Sequence, residues 1–233
     1  MSIDYNKVTI KTSLHHCFGS PNDDIEGLPQ FFAELAEGAD EVDIKGNTFL
    51  FREKDPSDYV YILVSGAVML ERSTSTGSRQ VFAFLYTGNL MGLSEQLTYS
   101  FSAKSLADAT AIRISRSAMQ SMFDRYPAVA QKYHKVTGRI LALILDQLFI
   151  MGQKSAHQRL GHFLLDMIPK LGRGQSQFYL PMSRQDIADY LGMSLETASR
   201  GFSRLKRSKL IDIQSNYHIT ILDEQKLRDF IAD

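Results

Sequence analysis

Cysteine and tryptophan are almost missing from this sequence, which has one cysteine, Cys17, and no tryptophan among its 233 residues. A single thiol excludes an intrachain disulfide and any zinc or iron–sulfur site built only from cysteines of one chain. No uninterrupted apolar run approaches the roughly 18 residues that span a bilayer, and the N-terminal segment lacks an apolar signal core. We therefore expect a cytoplasmic protein with no membrane partner.

A net charge is missing too, because 26 basic and 26 acidic residues cancel. Their distribution is uneven. Residues 152–233 hold 12 basic and 9 acidic residues, a balance of +3, whereas residues 1–151 have a balance of −3. Five cations with no acid among them lie between Arg200 and Lys209. Such a cluster is typical of a surface that binds a polyanion, although a solvated helix end favoured by the helix dipole gives the same pattern.

Two short helices joined by a tight turn are predicted in the segment 183–210. Ser183 can cap the first helix, and Gly192 stands where the chain leaving that helix needs a positive φ. Ser194 offers a second cap. The apolar positions of the second helix recur at steps of three and four residues and are Leu195, Ala198, Phe202 and Leu205. This spacing is typical of a helix-turn-helix that binds double-stranded DNA.

The outward face of the second helix carries side chains suited to base edges and phosphates. Arg200 can donate two hydrogen bonds to guanine, Glu196 can accept one from a cytosine amino group, and Ser199 can contact thymine. We predict that these three residues read bases. The predicted phosphate contacts are Ser183, Gln185, Thr197, Arg204, Lys206 and Arg207.

The first half of the chain has the composition of a small β domain. Residues 1–24 form a polar arm that we expect to be irregular. In residues 25–125, a short apolar helix near Leu28 precedes short runs of aromatic and β-branched residues separated by turn residues, which favours a sandwich or jelly roll. The predicted strands are 48–51, 59–64, 67–70, 80–86 and 111–114.

A long helix is predicted at residues 126–152, and it is apolar on most of its faces. Such a helix must be buried on most faces. Packing on the β domain and on an identical helix across a two-fold axis would bury it, and an interior helix of a monomer is the alternative. The predicted pairing residues are Ile140, Ile144, Leu148 and Met151, with the lone acid Asp146 either solvated at the rim or placed at the dimer seam.

The remaining elements predicted in residues 153–233 complete a winged helix-turn-helix. They are a helix at 157–170, a short strand containing Phe178, Leu180 and Met182, a hairpin at 211–222 that turns at Asn216, and a closing helix at 224–231.

This order of elements resembles the bacterial Crp/Fnr superfamily of transcription factors over nearly the whole chain. Residues 196–200, Glu-Thr-Ala-Ser-Arg, resemble the Glu-x-x-Ser-Arg element of the Fnr branch, and residues 184–192 are similar to that branch's first reading helix. The cyclic-AMP receptor branch usually has glycine at the position of Ser199. The resemblance implies an α+β fold with an N-terminal β jelly roll, a homodimer that binds TTGAT paired with ATCAA, RNA polymerase as a partner, and activation of transcription.

The resemblance also implies a sensor domain, whose known ligands can be compared with the residues present. The family's cyclic-nucleotide pocket carries Gly-Glu-Leu and Arg-Ser-Ala, where this chain has Gly92-Leu93-Ser94 and Phe101-Ser102-Ala103. Because the carboxylate for the ribose and the guanidinium for the phosphate are both missing, we do not expect cyclic AMP to bind. The iron–sulfur cluster of the Fnr branch needs four cysteines, which this chain does not have.

Other signals stay open at this point. Haem could take ligands from His15, His16, Cys17 or Met91, although adjacent histidines in a polar arm are more often solvated. Cys17 could act as a redox switch, an apolar molecule could bind among the aromatic side chains, or the protein could need no effector.

Two other functional classes are disfavoured by the sequence. A cyclic-nucleotide-binding-like module that acts through protein partners would not need a two-helix DNA reader. An enzyme would need a catalytic constellation, and no G-x-S-x-G, H-E-x-x-H, P-loop or dinucleotide motif occurs. We therefore predict a DNA-binding regulator without catalytic activity.

Overall fold

A computed structural model of the protein describes residues 26–94, 96–172, 175–215 and 217–232. These residues form two compact units. The first contains residues 26–72 and 82–142, and the second contains residues 73–81 together with residues 143–232. The predicted arm at 1–24 and the predicted turn residue Asn216 lie outside the described residues.

Two four-stranded sheets, ordered β1-β8-β3-β6 and β2-β7-β4-β5, form the β domain. The sequence predicted five of these strands but missed β1, β6 and β7. Acidic and small polar residues dominate β1 and β7, and β6 has two residues, so only pairing with neighbouring strands makes them β structure. The strands are β1 Ala39–Ile44, β2 Phe49–Phe51, β3 Tyr59–Ser65, β4 Val68–Ser73, β5 Arg79–Leu85, β6 Leu90–Met91, β7 Ser102–Ser105 and β8 Ala109–Ser115.

Strand β3 is buried on both faces, which explains its continuous apolar run. Its alternate residues enter two different cores. Val60 and Ile62 pack with α1 (Leu28–Glu37) and α2 (Arg116–Arg125), whereas Tyr61 and Leu63 pack with residues of β2, β4 and β7. Successive side chains of a strand point to opposite faces, so the helices cover one side of the sheet and the second sheet covers the other.

Helix α3 extends from Pro127 to Gln153 and includes the boundary between the two units. It is long and apolar enough to cross a membrane by length and composition, and none of its most apolar stretch is buried in the single chain. The exposed apolar side chains are Leu141, Leu143, Ile144, Leu145, Leu148 and Phe149.

The second unit contains a three-stranded antiparallel sheet, ordered β10-β11-β9, and four helices besides the end of α3. Its elements are α4 Ala156–Leu171, β9 Gln177–Tyr179, α5 Arg184–Tyr190, α6 Leu195–Arg207, β10 Ile211–Ile213, β11 His218–Ile221 and α7 Glu224–Ala232.

The predicted core positions of this unit are buried, with two departures from the prediction. Ala198, Phe202 and Leu205 are at most 3% exposed, but Leu195 is 38% exposed because it is the first residue of α6 and lies beyond the packed face. Strand β9 ends at Tyr179, so Leu180 and Met182 are buried beyond the strand and not within it.

Candidate DNA interface

The turn between α5 and α6 is built around Gly192. This residue has φ of 61°, a left-handed conformation that glycine adopts without steric cost. A Cβ built on it would lie 2.9 Å from the Cε atom of Met151. Beside the turn, Nη1 of Arg159 donates to the carbonyl oxygen of Leu191 at 2.7 Å and satisfies an acceptor at the end of α5. The backbone conformation of the turn therefore explains the glycine that the sequence predicted there.

Both predicted caps are present. Ser183 and Asp186 form a capping box in which the Ser183 hydroxyl accepts from the Asp186 amide at 3.1 Å, and the Asp186 carboxylate accepts from the Ser183 amide at 2.9 Å. The Ser194 hydroxyl accepts from the Thr197 amide at 3.2 Å. The oxygen of Ser183, predicted to contact phosphate, is thus already used to start the helix.

The predicted base-reading residues lie together on the exposed side of α6. Glu196, Ser199 and Arg200 occupy positions i, i+3 and i+4 and are all exposed, so they share one helix face. Arg200 donates to Thr197 Oγ1 at 3.3 Å. Hydrogen bonds from its own backbone amide and from Ser194 hold the pKa of Glu196 below its ordinary value, so its carboxylate is an acceptor at neutral pH.

The opposite side of α6 is held close to the rest of the unit. A Cβ on Gly201 would lie 2.9 Å from Leu160 Cδ2 of α4, so this glycine lets the two helices approach. The guanidinium of Arg184 stacks on the Phe202 ring at 3.3 Å from its centroid. Burial lowers the pKa of Arg184 to about 10, and its Nη1 is buried without a hydrogen-bond partner among the described residues.

Arg184 was not among the residues that the sequence singled out. Its position as the first residue of α5 was visible, but its contact with Phe202, 18 residues later, depends on how the two helices pack.

Some predicted phosphate contacts also have partners within the chain. Lys206 donates to the Ile213 carbonyl at 3.1 Å and lies 3.3 Å from Asp212, so it joins α6 to the wing strand β10. The Arg204 guanidinium lies 5.5 Å from the Phe230 ring centroid. Gln185, Thr197 and Arg207 complete the predicted set, and Gln185 and Arg207 are exposed. Phosphate contact by these residues stays a prediction.

The predicted dimer residues differ in exposure. Ile144 and Leu148 are 52% and 59% exposed in the single chain, and Asp146 is exposed between them. Ile140 and Met151 are half-buried. Met151 lies against the turn at Gly192, so a part of its side chain has an intrachain partner.

Aromatic side chains pack against one another in the interior of the β domain. Phe51 stacks on Tyr99 with ring centroids 3.9 Å apart and on Tyr61 at 5.7 Å, and the Tyr99 hydroxyl donates to the Tyr59 carbonyl at 2.7 Å. Burial raises the pKa of both Tyr61 and Tyr99. These rings belong to a buried apolar core that also includes Met91, one of the candidate haem ligands.

The two segments compared with the cyclic-nucleotide pocket also lie in this domain. Ala103 is fully buried in β7, and Phe101 packs 6.3 Å from Phe51. Arg116 donates to the carbonyl oxygens of Gly92 and Gln96 at 3.5 and 3.2 Å, so its guanidinium holds this loop. The other candidate ligands, at positions 15–17, lie outside the described residues.

Comparisons with known proteins agree with both halves of this architecture. Residues 41–126 match the family model of a cyclic nucleotide-binding domain, and residues 158–230 match that of a Crp-like helix-turn-helix domain. The transcriptional activatory protein AadR of Rhodopseudomonas palustris is 33% identical over 180 residues, covering 76% of this chain and 75% of that protein. The nitrogen fixation regulation protein FixK of Rhizobium meliloti is 35% identical over 179 residues, covering 77% and 81%.

A similar solved structure is that of FixK2 from Bradyrhizobium japonicum. It has a TM-score of 0.78 and 31% sequence identity, covering 82% of this chain and 96% of that chain. The matching family models and the similar proteins are those of transcription regulators and not of enzymes. The chain belongs to the Crp/Fnr family of DNA-binding transcription regulators.

Proposed function

We propose that this protein is a cytoplasmic transcription activator that binds, as a homodimer, an inverted repeat of the type TTGAT-N4-ATCAA. The observation that carries the proposal is the exposure of Glu196, Ser199 and Arg200 on one face of α6. An ionised carboxylate, a hydroxyl and a guanidinium suit cytosine, thymine and guanine in a major groove.

The exposed apolar stretch of α3 supports the dimer. A single chain leaves Leu141, Leu145, Leu148 and Phe149 more than half exposed, which is costly unless another surface covers them. A second copy of the same helix can do so, and it would supply the second reading helix that an inverted repeat needs.

We infer activation rather than repression from the similar proteins. AadR is named as an activatory protein, and activation by members of this superfamily involves contact with RNA polymerase, which we therefore propose as a partner. Within the chain we assign residues 1–24 to an N-terminal arm, residues 25–125 to the sensor domain, residues 126–152 to the dimerisation helix and residues 153–233 to the winged helix-turn-helix domain.

A gel shift tests the operator. A duplex with TTGAT-N4-ATCAA is compared with a duplex of the same composition in scrambled order, each at two salt concentrations. We expect the operator to bind at least about a thousandfold more tightly than the scrambled duplex, with affinity falling as salt rises because phosphate contacts release counterions. Equal binding of the two duplexes would exclude this operator.

A further inference from the structure

A segment outside the helix-turn-helix, residues 73–81, belongs to the same compact unit. It forms a tight turn between β4 and β5, in which the Ser78 carbonyl accepts from the Thr74 amide at 2.8 Å and the Thr74 carbonyl accepts from the Gly77 amide at 3.0 Å. Gly77 has φ of 86°, the left-handed conformation that favours glycine. The first residue of β5, Arg79, therefore leaves a well-defined turn.

Arg79 bridges two carboxylates of the first reading helix. Its Nη2 lies 2.6 Å from Asp186 Oδ1, and its Nε donates to Asp189 Oδ2 at 2.7 Å. The three side chains are 24%, 12% and 13% exposed, so the pairs are largely withdrawn from water. The next residue, Gln80, donates to the Asp189 carbonyl at 2.7 Å. A guanidinium that engages two acids at once is geometrically fixed, unlike a surface ion pair.

These two acids lie close to residues predicted to contact DNA. Gln185, on the same helix, donates to Asp189 Oδ1 at 2.7 Å. An open cavity is lined by Arg79, Gln185, Asp189 and other residues, among them Ser194, the residue that caps α6. Two uncompensated carboxylates at this place would repel the phosphates that the helix must approach.

Asp186 is ionised in spite of its burial. Burial alone would raise the pKa of this carboxyl, but hydrogen bonds from Ser183 and Arg79 outweigh burial and hold its pKa below the ordinary value. The charge is therefore present at neutral pH and needs a partner.

We propose that Arg79 is a positioning residue for DNA binding, whose guanidinium neutralises Asp186 and Asp189 and fixes α5 for its approach to phosphate. This inference rests on the DNA contact proposed above. Because the role is electrostatic and lies beside the phosphates, it affects all DNA sequences alike and leaves base specificity unchanged.

The test measures the dissociation constants of Arg79→Ala and wild-type protein on the operator duplex and on the scrambled duplex. We expect Arg79→Ala to bind both duplexes about five- to tenfold more weakly at low salt, with a smaller loss at high salt because screening weakens the repulsion. Adding Asp189→Asn to Arg79→Ala removes one of the unpaired charges and should restore most of the affinity. The substitution keeps Oδ1 as the acceptor for Gln185.

Two further variants keep the result interpretable. Arg72→Ala removes the same charge from an exposed pair with Glu53, seven residues away, and should leave DNA affinity unchanged. Arg79→Lys keeps the charge and should lose less affinity than Arg79→Ala. The proposal is overturned if Arg79→Ala binds DNA as tightly as wild-type protein. It is also overturned if Arg79→Ala loses affinity equally at both salt concentrations and the added Asp189→Asn restores none of it. If wild-type protein does not prefer the operator, it is the proposed operator that fails.

Discussion

Among single residues, Arg200 and Lys206 are predicted to contribute to DNA binding in different ways, Arg200 by reading a base and Lys206 by contacting phosphate. Arg200 is exposed on the reading face, and Arg200→Ala should cost about 1–3 kcal/mol at the guanine position of the operator because a bidentate pair is lost. Lys206 is a predicted phosphate contact that also joins α6 to strand β10. Because phosphates carry no sequence information, Lys206→Ala should weaken binding to all DNA sequences similarly. Dissociation constants on matched and guanine-substituted operators measure both. An equal loss on the two duplexes for Arg200→Ala would show that Arg200 does not read a base.

Gly192 has a backbone conformation that a residue with a Cβ adopts only at a steric cost. Gly192→Ala places a Cβ in a left-handed conformation and 2.9 Å from Met151 Cε, so we expect it to lower the free energy of unfolding by about 1–3 kcal/mol. Urea unfolding measures the change. Gly152→Ala is the matched control, because it lies in α3 with nothing within 4 Å of its Cβ and should be neutral or slightly stabilising. Equal effects of the two substitutions would contradict this account of the turn.

We expect His162 to make the stability of the second unit depend on pH. Burial and nearby Lys154 lower the pKa of His162, and its Nε2 is buried without a hydrogen-bond partner among the described residues. The unfolded chain therefore binds a proton at a higher pH than the folded chain, so stability falls as pH decreases through about 6.5. Burial lowers the pKa of His157 in the same direction.

Chemical unfolding at pH 7.5 and 5.5 measures this dependence. His162→Leu removes the titrating group, so its unfolding free energy should fall less between the two pH values than that of wild-type protein. An identical fall in both proteins would assign the pH dependence to other groups.

Among the secondary-structure elements, α3 is the proposed dimer interface, and substitutions in it test the dimer. Leu148→Ser removes an apolar contact from each copy of the helix and should raise the dimer dissociation constant at least about a hundredfold, since each buried leucine contributes about 1.5–3 kcal/mol. Sedimentation equilibrium measures the constant. Leu97→Ser is the control, because Leu97 is 91% exposed and should not affect assembly. A dimer dissociation constant unchanged by Leu148→Ser would show that Leu148 does not lie in the dimer interface.

The elements differ in how well the sequence predicted them. Helices with caps, such as α5 and α6, begin at the predicted residues because capping and amphipathic spacing act within a few positions of the chain. Strands β1 and β7 were missed because their own residues have little preference for β structure. Pairing with β8, about 70 residues away, makes β1 a strand.

At the scale of the whole molecule, the sensor domain keeps the family fold while its interior is occupied by aromatic rings. Phe51, Tyr61 and Tyr99 pack against one another, and no basic side chain replaces the family's phosphate-binding arginine at Phe101. We therefore expect 1 mM cyclic AMP to change neither the melting temperature nor the operator affinity of this protein.

Differential scanning fluorimetry and the gel shift, each with and without the nucleotide, check this expectation. A cyclic-AMP-binding member of the family, measured with the same nucleotide solution, is the positive control. A rise in melting temperature that saturates with nucleotide concentration would show that cyclic AMP binds this protein and would contradict the expectation. Ultraviolet-visible and mass spectra of the purified protein would reveal any cofactor that copurifies.

The sequence by itself determined what depends on neighbouring residues: the caps at Ser183 and Ser194, the left-handed turn at Gly192, and the exposed face that carries Glu196 and Arg200. Short-range hydrogen bonds, steric limits and helical periodicity produce these features wherever the segment lies.

Only the tertiary structure decided which distant side chains meet. Arg79 pairs with Asp186 across 107 positions of the chain, and Arg184 stacks on Phe202 between two helices. No local pattern identifies such partners, because any exposed arginine could be solvated, and packing alone selects the acid or ring that it contacts. The reading face was therefore predictable from the sequence, whereas the charge balance behind it depended on the fold.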